Sequence, residues 1–197
     1  MLFKNKIKKN QFGYLKAEAK RIFIRTIILF GISVFIFILG IIIFGSKRNL
    51  FTLIAVLGAL PFSQTLVNLI MLIRARKKEC SEELMKKSSE CVKDSTIVLK
   101  YDFYMTSEEG NYDIQVLTVF ENSIIGYSKN AEFNHQKFEK HLNHMLAQNN
   151  LKASVIKIFT HNELNKFTER LSEAAANKLN QNENDLKILR LMENLSL

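Results

Sequence analysis

The chain changes polarity regime several times along its length. Residues 1–25 interleave basic side chains with Phe3, Ile7, Phe12, Tyr14 and Leu15. Thr26–Gly45 is then a run of twenty residues without a charge, dominated by Ile, Phe, Leu and Val. After Ser46–Asn49 a second uncharged run covers the twenty-four residues Leu50–Ile73. At the helical rise, twenty residues cover about 30 Å, the thickness of a hydrocarbon core. The second run is long enough to cross with some tilt. Core helices of soluble proteins seldom hold so many uncharged residues in succession, so the pattern predicts a transmembrane helical hairpin over residues 22–74, with spans at about 26–45 and 50–73. A cleaved signal peptide is not expected, because the first run is too long, starts late and lacks a small-x-small site.

Beyond the second run the periodicity changes. Residues 75–95 contain no Gly or Pro and predict a helical stalk that continues the second span, with Cys80, Leu84 and Cys91 on one face. That stripe is read as packing on the chain's own sheet, against the alternative of a coiled coil or redox pair between protomers. Ile97, Leu99, Tyr101, Phe103 and Met105 alternate with more polar neighbours, a period of two that predicts one strand with one apolar face. Ser107–Asn111 supplies a turn, Tyr112–Phe120 a second strand, Glu121–Asn122 a tight turn and Ser123–Ser128 a third strand. Phe138, Leu142, Met145 and Leu146 have helical spacing, and Ala153–Phe159 reads as a fourth strand. Thr160–Glu163 matches a capping box that starts a helix carrying Leu164, Phe167, Leu171, Ala174 and Ala175. A polar stretch, Asn177–Asn184, precedes a last amphipathic helix with Ile188, Leu191, Met192 and Leu195. The expected fold class is α+β: a two-helix transmembrane hairpin, then a small cytoplasmic sheet-and-helix domain over residues 96–197, ordered helix, three strands, helix, strand, helices.

Charge sharpens the picture. The net charge is +9, from 28 Lys and Arg against 19 Asp and Glu, and it is not spread evenly. Lys4, Lys6, Lys8, Lys9, Lys16, Lys20, Arg21 and Arg25 stand against Glu18 alone, which makes residues 1–25 +7. Lys47 and Arg48 lie between the runs, residues 74–95 carry +2, and residues 96–197 carry −2. Eight basic residues precede the first span and seven follow the second, against two between them. That asymmetry predicts both termini on the cytoplasmic side of a multi-pass protein of the cell (inner) membrane. The basic N-terminal segment, residues 1–21, is read as a surface-lying element. Its candidate contacts to anionic headgroups are Lys4, Lys6, Lys8, Lys9, Lys16, Lys20 and Arg21. A tail that only fixes topology is the competing reading. The slightly acidic domain argues against nucleic acid as a partner. The expected partners are a lipid bilayer with anionic headgroups and either another protein or a second copy of the chain.

Within the second span Pro61 predicts a kink, because it lacks the amide that would bond to Leu57. Gln64 and Asn68 share one helix face, and amides facing lipid are expensive. Pro61, Gln64 and Asn68 therefore form a candidate polar seam, read chiefly as helix–helix glue and alternatively as the lining of an oligomeric path. His141 and His144 share a face near His135, but no second ligand pair stands at zinc spacing, so no metal is assigned. No phosphate-binding, nucleophile-elbow or zinc-protease motif occurs, and no cofactor or catalytic residue is assigned. Over residues 75–160 the order of elements resembles the core of the PD-(D/E)xK nuclease-like fold. Such nucleases place an acid on the second strand and an acid-x-Lys on the third. Asp113 fits the first requirement, while Ser123–Tyr127 supplies neither group of the second, so nuclease activity is not expected. The reading that results is a membrane-anchored, non-enzymatic module that binds a partner or helps assemble a membrane complex. The alternatives are a tethered enzyme using acids such as Asp102 or Asp113 or the imidazole of His141, and a small transport or channel subunit.

Gln11-Phe12-Gly13-Tyr14 before the first span, Ala55-Val56-Leu57-Gly58 and Leu60-Pro61 in the second, and Tyr101-Asp102 in the first strand carry one more signal. In these residues the chain resembles an uncharacterised family of two-span membrane proteins from low-GC Gram-positive bacteria. The resemblance implies residence in a bacterial inner membrane, and the family brings no established activity to this chain.

Overall fold

A computed structural model describes residues 7–47, 49–107, 110–177, 179 and 181–197. Lys4, Lys6 and Arg48 of the sequence reading lie outside the described residues. The chain divides into two compact units, one over residues 15–77 and one that joins the described residues 7–14 to residues 78–197.

The first unit is a pair of long helices, α1 (Tyr14–Phe44) and α2 (Leu50–Arg76). Both are long and apolar enough to cross a membrane. Only 6% of the most apolar stretch of α1 and 11% of that of α2 is buried, so neither is a core helix of the kind a soluble protein encloses. Where the helices meet, small residues allow it. Thr26, Ser33 and Gly40 recur at seven-residue spacing on the buried side of α1, and Ala55 and Thr65 are buried on α2. A β-carbon on Gly40 would come within 2.5 Å of the Phe51 Cβ, and one on Gly58 within 3.1 Å of the Ser33 Oγ. Phe30 packs on Phe62 with ring centroids 5.1 Å apart. Asn49 closes the turn: its amide donates to the carbonyl of Gly40 at 2.8 Å, and its side-chain oxygen caps α2 by accepting from the Thr52 amide. Helix α2 runs on through Pro61, which has no amide to donate to the Leu57 carbonyl.

The second unit is built on four strands, β1 (Lys100–Ser107), β2 (Gly110–Phe120), β3 (Ser123–Tyr127) and β4 (Val155–Phe159), in the order β1-β2-β3-β4. The first two pairings are antiparallel, and β3 with β4 is parallel. Glu121 and Asn122 both take positive φ, which is the two-residue turn whose twist suits a hairpin. Helix α4 (His135–Gln148) makes the parallel crossover. Together with α6 (Glu183–Leu195) it covers one face, where Phe103, Ile114, Leu117, Phe138, Leu142 and Ile188 share a core. On the other face lie α3 (Glu82–Cys91) and α5 (Leu164–Ala176), which enclose Leu84, Val116, Phe120, Tyr127, Phe167 and Leu171. Two capping boxes start helical segments here: the expected one at Thr160–Glu163, which opens a 3-10 turn leading straight into α5, and one at Asn182–Asp185, which opens α6. The fully buried Asp185 also accepts the Asn122 amide at 2.7 Å, which ties the start of α6 to the β2–β3 turn.

Four expectations change. Over its described residues 7–21 the basic segment is not a separate element: α1 begins at Tyr14, and the residues just before it belong to the sheet unit. The stalk over 75–95 is not continuous with the second span. Helix α2 stops at Arg76, and α3 starts afresh at Ser81, whose side chain caps it. The domain therefore extends well before residue 96, and it takes in the Cys80–Leu84 stripe as core. Finally, the five apolar residues of the first strand do not share a face. Ile97, Leu99 and Tyr101 pack with α3 and α5, whereas Phe103 and Met105 pack with α4 and α6. The switch occurs at Asp102, which has φ of 59°. It is matched across the pair on β2, where Ile114 faces one core and Val116 the other.

Candidate functional site

The place where both strands change face is also the polar centre of the domain. Asp102, Asp113 and Gln115 are 3%, 3% and 1% exposed, among mainly apolar buried neighbours on the sheet. Burying an unpaired carboxylate or amide is costly, so the partners decide what the cluster is for. Asp102 accepts the backbone amide of Cys80 at 2.6 Å. Asp113 accepts the ammonium of Lys78 at 2.7 Å, a pair whose lysine is half exposed and whose carboxylate is not. Gln115 donates to the carbonyl of Lys78 at 2.6 Å and accepts the amide of Lys129 at 2.7 Å. Three side chains on two strands thus grip three successive residues, Lys78–Cys80, directly after the helix pair. A continuous helix would need the Lys78 carbonyl and the Cys80 amide for itself. Their capture by Gln115 and Asp102 explains why the stalk breaks.

The segment entering the helix pair is held on the same strand. Asn10 is buried with φ of 56°, and its backbone carbonyl accepts the Tyr101 amide at 2.9 Å. Its side-chain amide donates to the Tyr101 carbonyl and to the Ser196 hydroxyl. Ser196 in turn accepts the amide of Tyr104, and the Leu197 amide donates to the Tyr104 carbonyl. Residues before α1 and the last two residues of the chain therefore cover the outer edge of β1, which would otherwise present unpaired backbone groups. Phe12 packs edge-on against Tyr101.

The electrostatics follow from burial. The Asp102 carboxyl is pushed up to about 6, first by loss of solvent and then by the neighbouring Glu79. The backbone N–H groups of Cys80 and Gly13 and the charge of Lys129 oppose that rise. One oxygen of Asp102 and one of Glu79 are buried without a hydrogen bond. Cys80, buried beside the same acids, has its thiol pushed up to about 12, chiefly by desolvation. It is a packing residue and a poor nucleophile.

The residues singled out in the sequence are dispersed. Gln64 and Asn68 lie on the exposed side of α2, away from the buried Thr65 and Leu69, so they are not glue between the two helices of one chain. Pro61 is exposed beside them. Lys8, Lys16, Lys20 and Arg21 are exposed, the last paired with Glu18 at 2.6 Å. Lys9 instead turns inward and donates to the Ser196 carbonyl at 2.6 Å. Burial holds its ammonium below the usual lysine range, against the pull of Glu193. His141 stacks on Tyr112, and His144 lies 3.0 Å from the Gln148 amide. Among the described residues no three His, Cys, Asp or Glu side chains are grouped to hold a metal ion. The element order behind the nuclease comparison is present, but its third strand is closed as well as lacking the acid and lysine. Ile124–Tyr127 is buried throughout, and a β-carbon on Gly126 would lie 2.9 Å from the Ile158 Cδ1.

Gln115 and Lys78 escaped the sequence reading. The available signal was a polar residue on each of two strands, Asp102 and Gln115, where an apolar one would continue the core.

The site and fold together define a class: an α+β domain with a mixed four-stranded sheet, attached through clamped polar segments to a pair of long apolar helices. No family model, no curated protein and no solved structure matches the chain.

Proposed function

We propose that this chain is a membrane-anchored, non-enzymatic protein of a bacterial inner membrane, whose cytoplasmic α+β domain binds a protein partner or helps assemble a membrane complex. The helix pair spans the bilayer twice, with residues 46–49 outside and both termini in the cytoplasm. The observation that carries the reading is the use made of the domain's buried polar groups. Asp102, Asp113 and Gln115 hold Lys78 and Cys80, and burial leaves neither of these two acids open to solvent. Attachment of the segments before and after the helix pair to the same strand fits an even number of crossings. Eight basic residues before the first span and seven over residues 74–95, against two between the spans, fit the same orientation. Lys8, Lys16 and Lys20 are exposed and suited to meet anionic headgroups, Arg21 is exposed but paired with Glu18, and Lys4 and Lys6 share the role by sequence.

The test is crosslinking in the native membrane at native expression, followed by recovery in detergent. A stoichiometric polypeptide partner is expected. Recovery of the bare chain alone overturns the assembly role. Protease accessibility of a C-terminal tag checks orientation independently: digestion only from the cytoplasmic side is expected.

A further inference from the structure

We propose that α2 associates with α2 of a second copy of this chain through the seam Leu53, Leu57, Leu60, Gln64, Val67 and Met71. The inference rests on the membrane-spanning reading and names a partner for it. The spacing of these six residues is four, three, four, three, four, the repeat that keeps one helix face against a neighbouring helix in a left-handed pair. The α1 helix does not use this face: it meets α2 through the side that buries Ala55, Thr65 and Leu69. Leu53, Leu57, Leu60 and Val67 are each more than half exposed, and Gln64 is exposed among them.

Apolar side chains alone would be satisfied by lipid, and Gln64 is what decides the occupant. A primary amide is both donor and acceptor, and in hydrocarbon it needs a partner offering both. Every copy of the chain inserts with the same orientation and presents Gln64 at the same depth. Around a two-fold axis along the membrane normal, Gln64 therefore meets Gln64 of the second copy, and the surrounding repeat falls into register with itself. Asn68, one turn further on the flank of the seam, offers a second amide to the same contact. A single polar residue within an otherwise apolar repeat is the arrangement that fixes register and copy number in helix pairs.

The experiment uses the full chain in its native membrane, with a photoreactive benzophenone amino acid replacing Leu60 or Val67 on the seam, or Leu66 or Ile70 off it. Irradiation is expected to give a product of twice the 22.8 kDa chain from the seam positions and little from the others. Gln64→Leu is expected to lower that yield by roughly three- to thirty-fold, from the energies typical of an interhelical amide bond, and Gln64→Asn to retain most of it. Adducts to lipid or to a different polypeptide from Leu60 and Val67, equal dimer from all four positions, or an unchanged yield in Gln64→Leu overturns the proposal. An alkaline carbonate wash before irradiation separates the two failures. A chain that washes off overturns the spanning reading itself, whereas one that stays and gives no dimer overturns only the seam.

Discussion

Asp102→Asn is the substitution that most directly tests the account of the clamp. The carboxyl rises from its ordinary 3.8 to about 6, because burial and Glu79 penalise its charge more than the backbone amides and Lys129 reward it. A native-state value above the unfolded one means that the folded domain binds the extra proton between about pH 4 and pH 6. Stability contributed by that proton is fully present below the unfolded value and is lost as pH rises through the folded one. The shift of about two units corresponds to about 3 kcal/mol at neutral pH. Asparagine keeps the side-chain oxygen that accepts the Cys80 amide at 2.6 Å, and it tolerates the positive φ at this position. Its new N–H group replaces an oxygen that has no hydrogen bond, beside a Glu79 oxygen that also lacks one. The variant should therefore unfold later than the wild type by up to about 3 kcal/mol at pH 7, or about 1–2 M in urea midpoint, and with no difference near pH 4. With no Trp in the chain, fluorescence of Tyr101, Tyr104, Tyr112 and Tyr127 follows the domain in the detergent-solubilised full chain. A variant less stable than the wild type at pH 7, or a difference that does not change between pH 4 and pH 7, refutes the reasoning.

Other consequences are equally direct. Asn10→Ala removes an amide that holds both Tyr101 and Ser196 and leaves a non-glycine residue at positive φ, so a loss of about 2–3 kcal/mol is expected, with faster amide exchange in β1 and at Leu197; unchanged exchange there would remove the N-terminal segment from the clamp. A maleimide at pH 7.5 should label the half-buried Cys91 in the folded chain and reach Cys80 only in denaturant. Equal labelling of the two thiols under native conditions would contradict the burial of Cys80. Gly126→Ala places a methyl group within 2.9–3.3 Å of Ile158, Ile114 and the Val116 carbonyl, and it should cost about 1–3 kcal/mol in a urea melt. A neutral effect would mean that β3 has room the structure does not show.

Long-period features were legible in the sequence, and features set by tertiary hydrogen bonds were not. Twenty and twenty-four uncharged residues announce two long helices whatever surrounds them; α1 takes in the first run up to Phe44 and α2 the whole of the second. The order of strands and helices was also readable, because each element carries its own turn or cap: Glu121–Asn122 between β2 and β3, Thr160–Glu163 before α5. The break after Arg76 was not readable. Residues 75–95 are good helix formers, and the reason they part at Lys77–Ser81 lies on strands more than twenty positions away, in Asp102 and Gln115. The same two residues defeat the period-two reading of β1. Strict alternation assigns Tyr101 and Phe103 to one face, but the positive φ at Asp102 turns the strand between them. For Gln64 and Asn68 the sequence showed a shared face and not its direction, which depends on where the small residues of α1 allow α2 to approach.

The clamp bears on function through its cost. Removing one partner of a buried charge is expensive because the other is left unpaired, typically by about 3–5 kcal/mol. Asp113, whose carboxylate is buried while Lys78 is half exposed, meets part of that penalty whenever the segment after α2 detaches. Hydrophobic contacts would hold the same segment more cheaply, but they would hold it in many registers. Directed bonds to the Lys78 ammonium, the Lys78 carbonyl and the Cys80 amide fix three consecutive residues in one register on the sheet. Asp113 is closed off by the Lys78 ammonium and one oxygen of Asp102 by the Cys80 amide, and neither carboxylate is open to solvent. What the arrangement delivers is a domain that holds the segments on either side of the helix pair in one register on its own first two strands.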